Sequence, residues 1–343
     1  MEKHTSPDNY NGALQTPLHS GYSATSTATE VAKGIDLSGR IVIVTGGYTG
    51  IGLETVKTFH KAGAEVWIPT RDKTKAQKNL DGIPNLKIHS MDLMNPASID
   101  AFAQAFLATG KPLHILVNNA GIMWVPLRRD SRGNESQLST NHLGHFQLTA
   151  RLWPALKKAG NARVVTVSSF GHQIAPFNFD DHNFLHRPYE TLQGYGQAKT
   201  ANNLFTVELD HRSKTHGIRA YAVHPGAVNG TDLGREASME LFQQMGTHDA
   251  NGNIFPEVER KLKNIPQGAA TTVWCATSSR LQNIGGVYCE DGDIAELDKG
   301  NIGHTFDDPS SLRGVRPYSL SAENAQRLWR LTEELTTIQF PVD

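Results

Sequence analysis

Short apolar segments recur along the first 290 residues, and stretches with helical spacing of apolar side chains separate most of them. Segments such as 41–44 and 164–167 are almost continuously apolar or β-branched, which is typical of parallel strands covered on both faces. The alternation predicts one α/β domain with a doubly wound, Rossmann-type parallel sheet of seven strands and right-handed crossovers. The predicted strands cover residues 41–45, 65–69, 86–90, 113–117, 163–168, 218–224 and 286–289.

Three segments interrupt or flank this alternation. Residues 1–37 are predicted to form an N-terminal arm with a short helix, and the polar stretch 1–22 is either mobile or laid over the surface. The sheet domain is predicted to cover 38–304, and within it the segment 229–268 is rich in Gly, Asn, Met and Phe. Residues 305–343 form a predicted C-terminal extension, whose closing helix begins after a capping Ser321.

Composition excludes several functional classes. The chain has 343 residues and a formal net charge of −1, from 33 basic and 34 acidic residues, so no overall field recruits nucleic acid or an anionic membrane. No apolar run approaches the ~18–20 residues of a membrane span. The two cysteines, Cys275 and Cys289, lack metal-ligand spacing, so neither a metal site nor a disulfide framework is expected. We expect a soluble cytoplasmic protein.

A glycine-rich turn follows the first predicted strand. It covers residues 45–52, with the sequence Thr-Gly-Gly-Tyr-Thr-Gly-Ile-Gly, and a helical pattern begins directly after it. Glycines in such a strand-turn-helix unit let backbone N–H groups approach a pyrophosphate at the helix N-terminus. The turn therefore indicates dinucleotide binding, although a tight strand-to-helix connection alone also uses glycine.

Tyr195 and Lys199 lie four residues apart in a stretch that reads as helix, so both project from one helical face. A free tyrosine has a pKa near ~10, and a cation beside it favours the phenolate and lowers that pKa toward neutrality. The pair therefore suits acid/base chemistry on an alcohol or a carbonyl. The same spacing is also common on solvated helix faces.

These motifs occur in one order along the chain, together with the run 118–121, Asn141 and Ser169. Over roughly residues 38–300 the chain resembles the short-chain dehydrogenase/reductase superfamily. The runs 141–146, 167–169 and 224–226 are similar to the retinol-dehydrogenase and WW-domain-oxidoreductase branch, and the approach segment 26–37 is similar to soluble plant and bacterial members of that branch.

The resemblance implies a set of catalytic roles. Tyr195 is the expected acid/base for transfer of the pro-S hydride between a nicotinamide and a carbonyl carbon. Ser169 is expected to hydrogen-bond the carbonyl oxygen, whereas its neighbour Ser168 is structural. Lys199 is expected to lower the pKa of Tyr195 and hold the nicotinamide ribose, and Asn141 to position a water beside Lys199.

The resemblance also implies a mobile substrate lid over residues 229–268 and a set of cofactor-binding residues. The segment 92–93 is expected to contact adenine, and Thr231 takes the place of a threonine usually found one position earlier. The expected contacts are Gly46, Tyr48, Thr49, Gly50, Ile51, Gly52, Arg71, Asp92, Leu93, Asn119, Ala120, Gly121, Tyr195, Lys199, Pro225, Gly226, Val228 and Thr231.

The end of the second predicted strand bears on the choice between NAD and NADP(H). NAD enzymes usually place an acid there, and NADP enzymes replace it and supply a cation. Here Thr70 stands in the acid's place and Arg71 follows, so NADP(H) is the expected cofactor. The alternative is that Arg71 merely faces solvent near Asp72. The glycine turn adds no second cation in support of NADP(H), because Thr49 stands where many NADP enzymes have one.

The sequence therefore predicts an NADP(H)-dependent oxidoreductase that interconverts a carbonyl and a primary or secondary alcohol. An NADPH-sensing interaction protein with little turnover is the alternative. A sugar-nucleotide epimerase ranks last, because the glycine spacing of such epimerases differs from that of this chain.

The resemblance also bears on assembly and on the substrate pocket. Family members commonly form dimers or tetramers through the helix bearing Tyr195. An apolar substrate pocket is suggested by Trp124, Phe170, Met239, Phe242 and Met245. The 26-residue interval from Ser169 to Tyr195 is long, and its aromatic residues either line the site or pack as a surface excursion.

Overall fold

The computed structural model describes residues 7–300 and 303–342. The parts of the predicted arm, sheet domain and extension that fall on residues 1–6, 301–302 and 343 lie outside the described residues. One sheet of eight strands runs in the order β3-β2-β1-β4-β5-β6-β7-β8. The strands are β1 Ile41–Val44, β2 Glu65–Thr70, β3 Lys87–Ser90, β4 Ile115–Asn118, β5 Arg163–Val167, β6 Arg219–Val223, β7 Val287–Glu290 and β8 Asp293–Ile294.

The seven predicted strands are all present and pair in parallel, so the doubly wound fold is confirmed. The predicted count of seven is wrong by one strand. β8 pairs antiparallel with β7 across a turn at Asp291 and Gly292, both of which have positive φ. An Asp-Gly pair favours such a two-residue hairpin. The two residues of β8 are too few to show a hydrophobic period, which explains why the pattern did not predict it.

Helices cover both faces of the sheet. They are α1 Ala28–Val31, α2 Gly50–Lys61, α3 Lys73–Asn79, α4 Pro96–Leu107, α5 Ser136–Leu138, α6 Gly144–Arg151, α7 Trp153–Ala159, α8 Thr191–Ser213, α9 Met239–Gln244, α10 Pro256–Glu259, α11 Ile265–Thr277 and α12 Ala322–Thr336. Alternate β1 side chains enter opposite cores: Val42 packs with α2 and α11, whereas Ile43 packs with α4 and α6. The alternation follows from the two-residue period of a strand.

The helix that bears the Tyr195/Lys199 motif, α8, is buried along most of its length. The sheet covers one side, and α12 packs on another, where the Trp329 and Phe205 rings stack with centroids 6.0 Å apart. Ser321 caps α12 by accepting a hydrogen bond from the backbone N–H of Asn324, as the capping pattern predicts. The C-terminal extension thus covers part of the helix through which family members commonly associate.

The described part of the N-terminal arm lies against the β7 edge of the sheet. Gln15 is buried there, and its Nε2 donates to the carbonyl oxygens of Tyr288 at 2.6 Å and Ala295 at 2.7 Å. Its Oε1 accepts from the backbone N–H of Tyr288 at 3.1 Å. Of the two arrangements that the sequence leaves open for residues 1–22, the described residues adopt the one laid over the surface.

Candidate active site

A cavity of about 400 Å³ opens at the carboxyl ends of β1, β4, β5 and β6. The strand order reverses between β1 and β4, and in open parallel sheets such a reversal leaves a crevice in which ligands bind. All eighteen residues expected to contact the cofactor line this cavity. Ser169 lines it as well, whereas Asn141 is buried behind it.

The glycine turn forms a cradle at the cavity floor. A Cβ atom added to Gly52 would lie 2.5 Å from Asn119 Nδ2 and 2.6 Å from the Gly46 carbonyl oxygen, so only glycine fits at this position. Thr49 is the N-cap of α2, but its side chain makes no capping hydrogen bond. The first N–H groups of α2 therefore remain available to an anion, which is the arrangement that a dinucleotide pyrophosphate requires. The described residues thus fit a dinucleotide.

The Thr45 hydroxyl ties this cradle to the end of β4. It accepts hydrogen bonds from the backbone N–H groups of Asn119 and Ala120, both at 2.9 Å. It also lies 2.9 Å from Nε2 of His145, whose Nδ1 lies 3.1 Å from the Asn141 carbonyl oxygen. Burial lowers the pKa of His145 to about 4, so the ring is neutral. Because a carbonyl only accepts, Nδ1 carries the proton and the Thr45 hydroxyl donates to Nε2.

Tyr195 and Lys199 lie together on α8, each only 3% exposed. The ammonium nitrogen of Lys199 is 5.5 Å from the centroid of the Tyr195 ring and donates to the Val167 carbonyl oxygen at 2.9 Å. A Cβ atom on Gly171 would lie 2.5 Å from a carbon of the Tyr195 ring, so the loop after β5 must have glycine there. The ring therefore packs directly against this loop.

The expected lowering of the Tyr195 pKa by Lys199 is not found. Burial raises the pKa of Tyr195 to about 12, and a hydrogen bond with Ser169 opposes this shift. Burial also lowers the pKa of Lys199 to about 7. Removal from water disfavours the charged form of each group, and at 5.5 Å from the ring the lysine does not outweigh this effect for the tyrosine. The buried phenol thus keeps its proton until an acceptor is placed against it.

Ser169 and Asn141 are both held by local hydrogen bonds. The Ser169 hydroxyl accepts from the Gly171 backbone N–H at 3.0 Å. Asn141 lies in a π-helical turn, Ser139–Leu143, and both ends of its side-chain amide are bonded to the backbone of Ile122, at 2.9 and 3.0 Å. The side chain therefore fixes a loop, and its main-chain carbonyl accepts from His145 Nδ1, so the expected water beside Lys199 stays a prediction. Ser168 donates to the Lys199 carbonyl oxygen at 3.0 Å, a structural contact.

Arg71 lines the cavity directly after β2. Within residues 7–300 and 303–342, no hydrogen bond or ion pair engages its guanidinium. Asp72, the partner in the alternative interpretation, instead caps α3 by accepting from the Lys75 backbone N–H at 2.8 Å. The Thr70 hydroxyl is bonded to the backbone of Asp72. Asp72 is thus engaged elsewhere, and the Glu236 carboxylate, whose pKa is lowered mainly by Arg128 and in smaller part by Arg71, forms no ion pair with Arg71.

The substrate end of the cavity is lined mostly by apolar side chains. Trp124, Phe170, Phe242 and Met245 line it as expected, but Met239 does not, and its side chain is 41% exposed. The C-terminal extension contributes further residues that the sequence did not indicate: Phe306, Pro309 and Leu312.

The long interval between Ser169 and Tyr195 has two roles. Phe170 lines the cavity, whereas Phe177 and Phe179 pack on each other with ring centroids 4.8 Å apart.

The family model for short chain dehydrogenases matches residues 40–241, which contain the glycine turn and all four expected catalytic residues. The chain belongs to this family. It is 41% identical over 302 residues to a Streptomyces antibioticus protein named "probable oxidoreductase", covering 86% of this chain and 97% of that protein. It is 34% identical to human retinol dehydrogenase 12 over 312 residues, covering 89% of each. These similarities confirm the retinol-dehydrogenase-like branch.

Among solved structures, an uncharacterized protein from Mycobacterium paratuberculosis is similar, with a TM-score of 0.68 and 30% identity. The match covers 91% of this chain and 98% of that protein. Dehydrogenases and reductases of this family act with nicotinamide cofactors, so the chain is an oxidoreductase by family. In the part of the chain that the structure describes, no helix combines the length and apolar character needed to cross a bilayer.

The Thr45 network predicts the effect of removing one hydroxyl. Thr45→Val is expected to lower the free energy of unfolding by about 2–4 kcal/mol, because two backbone N–H groups and His145 lose their partner. Binding of the nicotinamide cofactor should weaken as well, since the cradle is no longer held. Thr55→Val is the control: that buried hydroxyl donates only to the Ile51 carbonyl oxygen of its own helix, so the loss should be under about 1 kcal/mol. Equal losses in urea denaturation would contradict the network's role.

The lowered pKa of Lys199 predicts a pH dependence of stability. Between pH 7 and 9 the unfolded chain keeps the lysine proton while the folded protein loses it, so the contribution of Lys199 to stability rises with pH. The unfolding free energy of the wild type minus that of Lys199→Met should therefore increase by up to about 1.4 kcal/mol per pH unit over this range. Urea titrations without cofactor measure it, with the exposed Lys57→Met as control. Parallel pH curves for wild type and Lys199→Met would contradict the shift.

Proposed function

We propose that this protein is an NADP(H)-dependent reductase and dehydrogenase that interconverts a carbonyl and a primary or secondary alcohol. The observation that carries the proposal is the buried Tyr195 phenol, which lies beside Ser169 in the same cavity as a glycine cradle with an open helix N-terminus. A proton donor and a dinucleotide site thus share one cavity. That combination serves hydride transfer to a carbon whose oxygen needs a proton.

The cradle and Lys199 would hold the cofactor, which when bound would supply or accept the hydride. Tyr195 gives its proton to the oxygen of the reduced carbonyl and takes it back in the oxidation direction. Ser169 donates a hydrogen bond where negative charge accumulates on that oxygen. Burial favours the neutral phenol, so the proton leaves only when an oxygen of rising basicity is in contact with it. Lys199, with a pKa of about 7, can hold or release a proton near neutral pH beside this tyrosine.

Preference for NADP(H) is the finer part of the proposal. Its support is the exposed Arg71 at the cavity and the absence of a carboxylate at Thr70, whose hydroxyl is bonded to the backbone of Asp72. A planar guanidinium suits bidentate contact with a phosphate. An arginine at this place that forms no hydrogen bond or ion pair with the described residues favours the cofactor with a 2′-phosphate, whereas the 2′-hydroxyl of NADH would gain little from it.

Replacement of the acid/base tests the proposed reaction. Tyr195→Phe is expected to lower kcat at least a hundredfold on any ketone or aldehyde that the wild type reduces, because the ring stays but the proton is gone. The dissociation constant for NADPH should change less than threefold. The exposed Tyr22→Phe serves as the matched control and should leave both unchanged. Residual activity within about tenfold, roughly 1.4 kcal/mol of barrier, would remove Tyr195 from this role. Tight NADPH binding with no turnover of any carbonyl would instead favour the sensing protein.

Arg71→Ala tests the cofactor preference. Loss of a partly exposed, charge-assisted contact should cost about 1.5–3 kcal/mol, which is a tenfold to hundredfold drop in kcat/KM for NADPH. The value for NADH should change less than twofold, since NADH presents no 2′-phosphate. Arg330→Ala, an exposed arginine on α12, is the control. Equal losses with the two cofactors, or a wild-type preference for NADH, would overturn the assignment.

A further inference from the structure

Two aromatic pairs line the substrate end of the cavity. The Trp124 and Phe242 rings meet edge to face, with centroids 5.4 Å apart and an interplanar angle of 61°. The Phe170 and Phe306 rings meet at 6.4 Å and 85°. In each pair, one ring follows a central strand, and its partner comes from the 229–268 segment or the C-terminal extension. The Trp124 ring also faces the catalytic site, with its centroid 6.5 Å from that of Tyr195.

The backbone of Trp124 is unusual for an aromatic residue. Its φ is +56°, in the left-handed region that bulky L-residues rarely adopt because Cβ approaches the backbone. Its backbone N–H donates to Gln137 Oε1 at 2.8 Å. A costly conformation persists only where its surroundings enforce it, and such positions cluster at ligand sites.

Hydrogen bonds from side chains also hold the backbone before and after Trp124. Ile122 exchanges two hydrogen bonds with the Asn141 side chain. The Val125 carbonyl oxygen accepts from the hydroxyls of Tyr189 at 3.0 Å and Thr191 at 2.9 Å. Both hydroxyls come from the end of the long interval between Ser169 and Tyr195. This end of the interval thus helps to hold the loop that presents the Trp124 ring beside Tyr195.

We propose that Trp124 is the specificity-determining residue of this site and that the substrates are carbonyl compounds with an aromatic ring adjoining the carbonyl. The proposal rests on the reductase function proposed above. An aromatic ring seated against these cavity-lining pairs would meet their faces and edges in the offset or edge-to-face geometries that aromatic rings favour. A saturated ring of the same size fills the space but lacks the quadrupole. Trp124 positions the ring, and Tyr195 remains the proton donor.

The test compares acetophenone with cyclohexyl methyl ketone, which have the same number of heavy atoms. The quantity measured is the ratio of their kcat/KM values with NADPH, in wild type, Trp124→Leu and Trp124→Phe. Comparing this ratio between variants cancels the different intrinsic reactivities of the two ketones. Neither leucine nor phenylalanine is β-branched, so the positive φ at position 124 strains both variants to a similar degree. We expect Trp124→Leu to lower the ratio at least fivefold and Trp124→Phe to keep it within about twofold of wild type, both with unchanged NADPH affinity.

A second readout does not depend on turnover. Binding of 1-phenylethanol and 1-cyclohexylethanol to the NADPH complex, which cannot oxidise them, should show the same loss of preference in Trp124→Leu when measured by calorimetry. A ratio unchanged by Trp124→Leu, or reduction of aliphatic ketones alone, would overturn this inference and leave the reductase function standing. Absence of turnover with every carbonyl, despite NADPH binding, would overturn the reductase function itself.

Discussion

The site depends on the burial of one phenol and one amine side by side. Tyr195 and Lys199 are held on a helix that the sheet covers on one side and the C-terminal helix α12 on another. Taking a charge out of water is costly, so burial favours the neutral form of both groups. Lys199 donates to the Val167 carbonyl oxygen, and Ser169 beside the phenol opposes the rise of the Tyr195 pKa, so each buried group keeps a polar neighbour. A proton held in this way is available to a substrate oxygen but not to bulk water.

A second constraint joins this chemistry to cofactor binding. The Thr45 hydroxyl connects the glycine cradle with the loop after β4 and, through His145, with the carbonyl of Asn141. Asn141 in turn holds Ile122, two residues before Trp124. The cradle, the loop beside the catalytic pair and the substrate wall therefore share one hydrogen-bonded network. A change in any part of it is expected to reach both binding and catalysis.

Much of this arrangement could be predicted from the sequence, because local patterns carry it. Hydrophobic runs predicted the parallel strands, and motif order placed the expected cofactor residues around one cavity. The missed features are tertiary. Thr45 and His145 act through partners about 75 and 100 residues apart in the chain, which no local pattern indicates. The expected low pKa of Tyr195 was wrong because the helical spacing predicts the cation but not the depth of burial. Phe306 and Leu312 reach the cavity from an extension whose path only the folded chain defines.

The central claim is that a hydride and a proton reach one carbonyl in this cavity, the proton from Tyr195. The most direct measurement follows the hydrogen: a carbonyl substrate is reduced in a single turnover with NADPH deuterated at the pro-S position of the nicotinamide, and the product alcohol is analysed by mass spectrometry and NMR. The account predicts deuterium on the carbinol carbon, no transfer from the pro-R position, and no product with Tyr195→Phe on the same timescale. An unlabelled alcohol, transfer from the pro-R position, or undiminished transfer in Tyr195→Phe would contradict it.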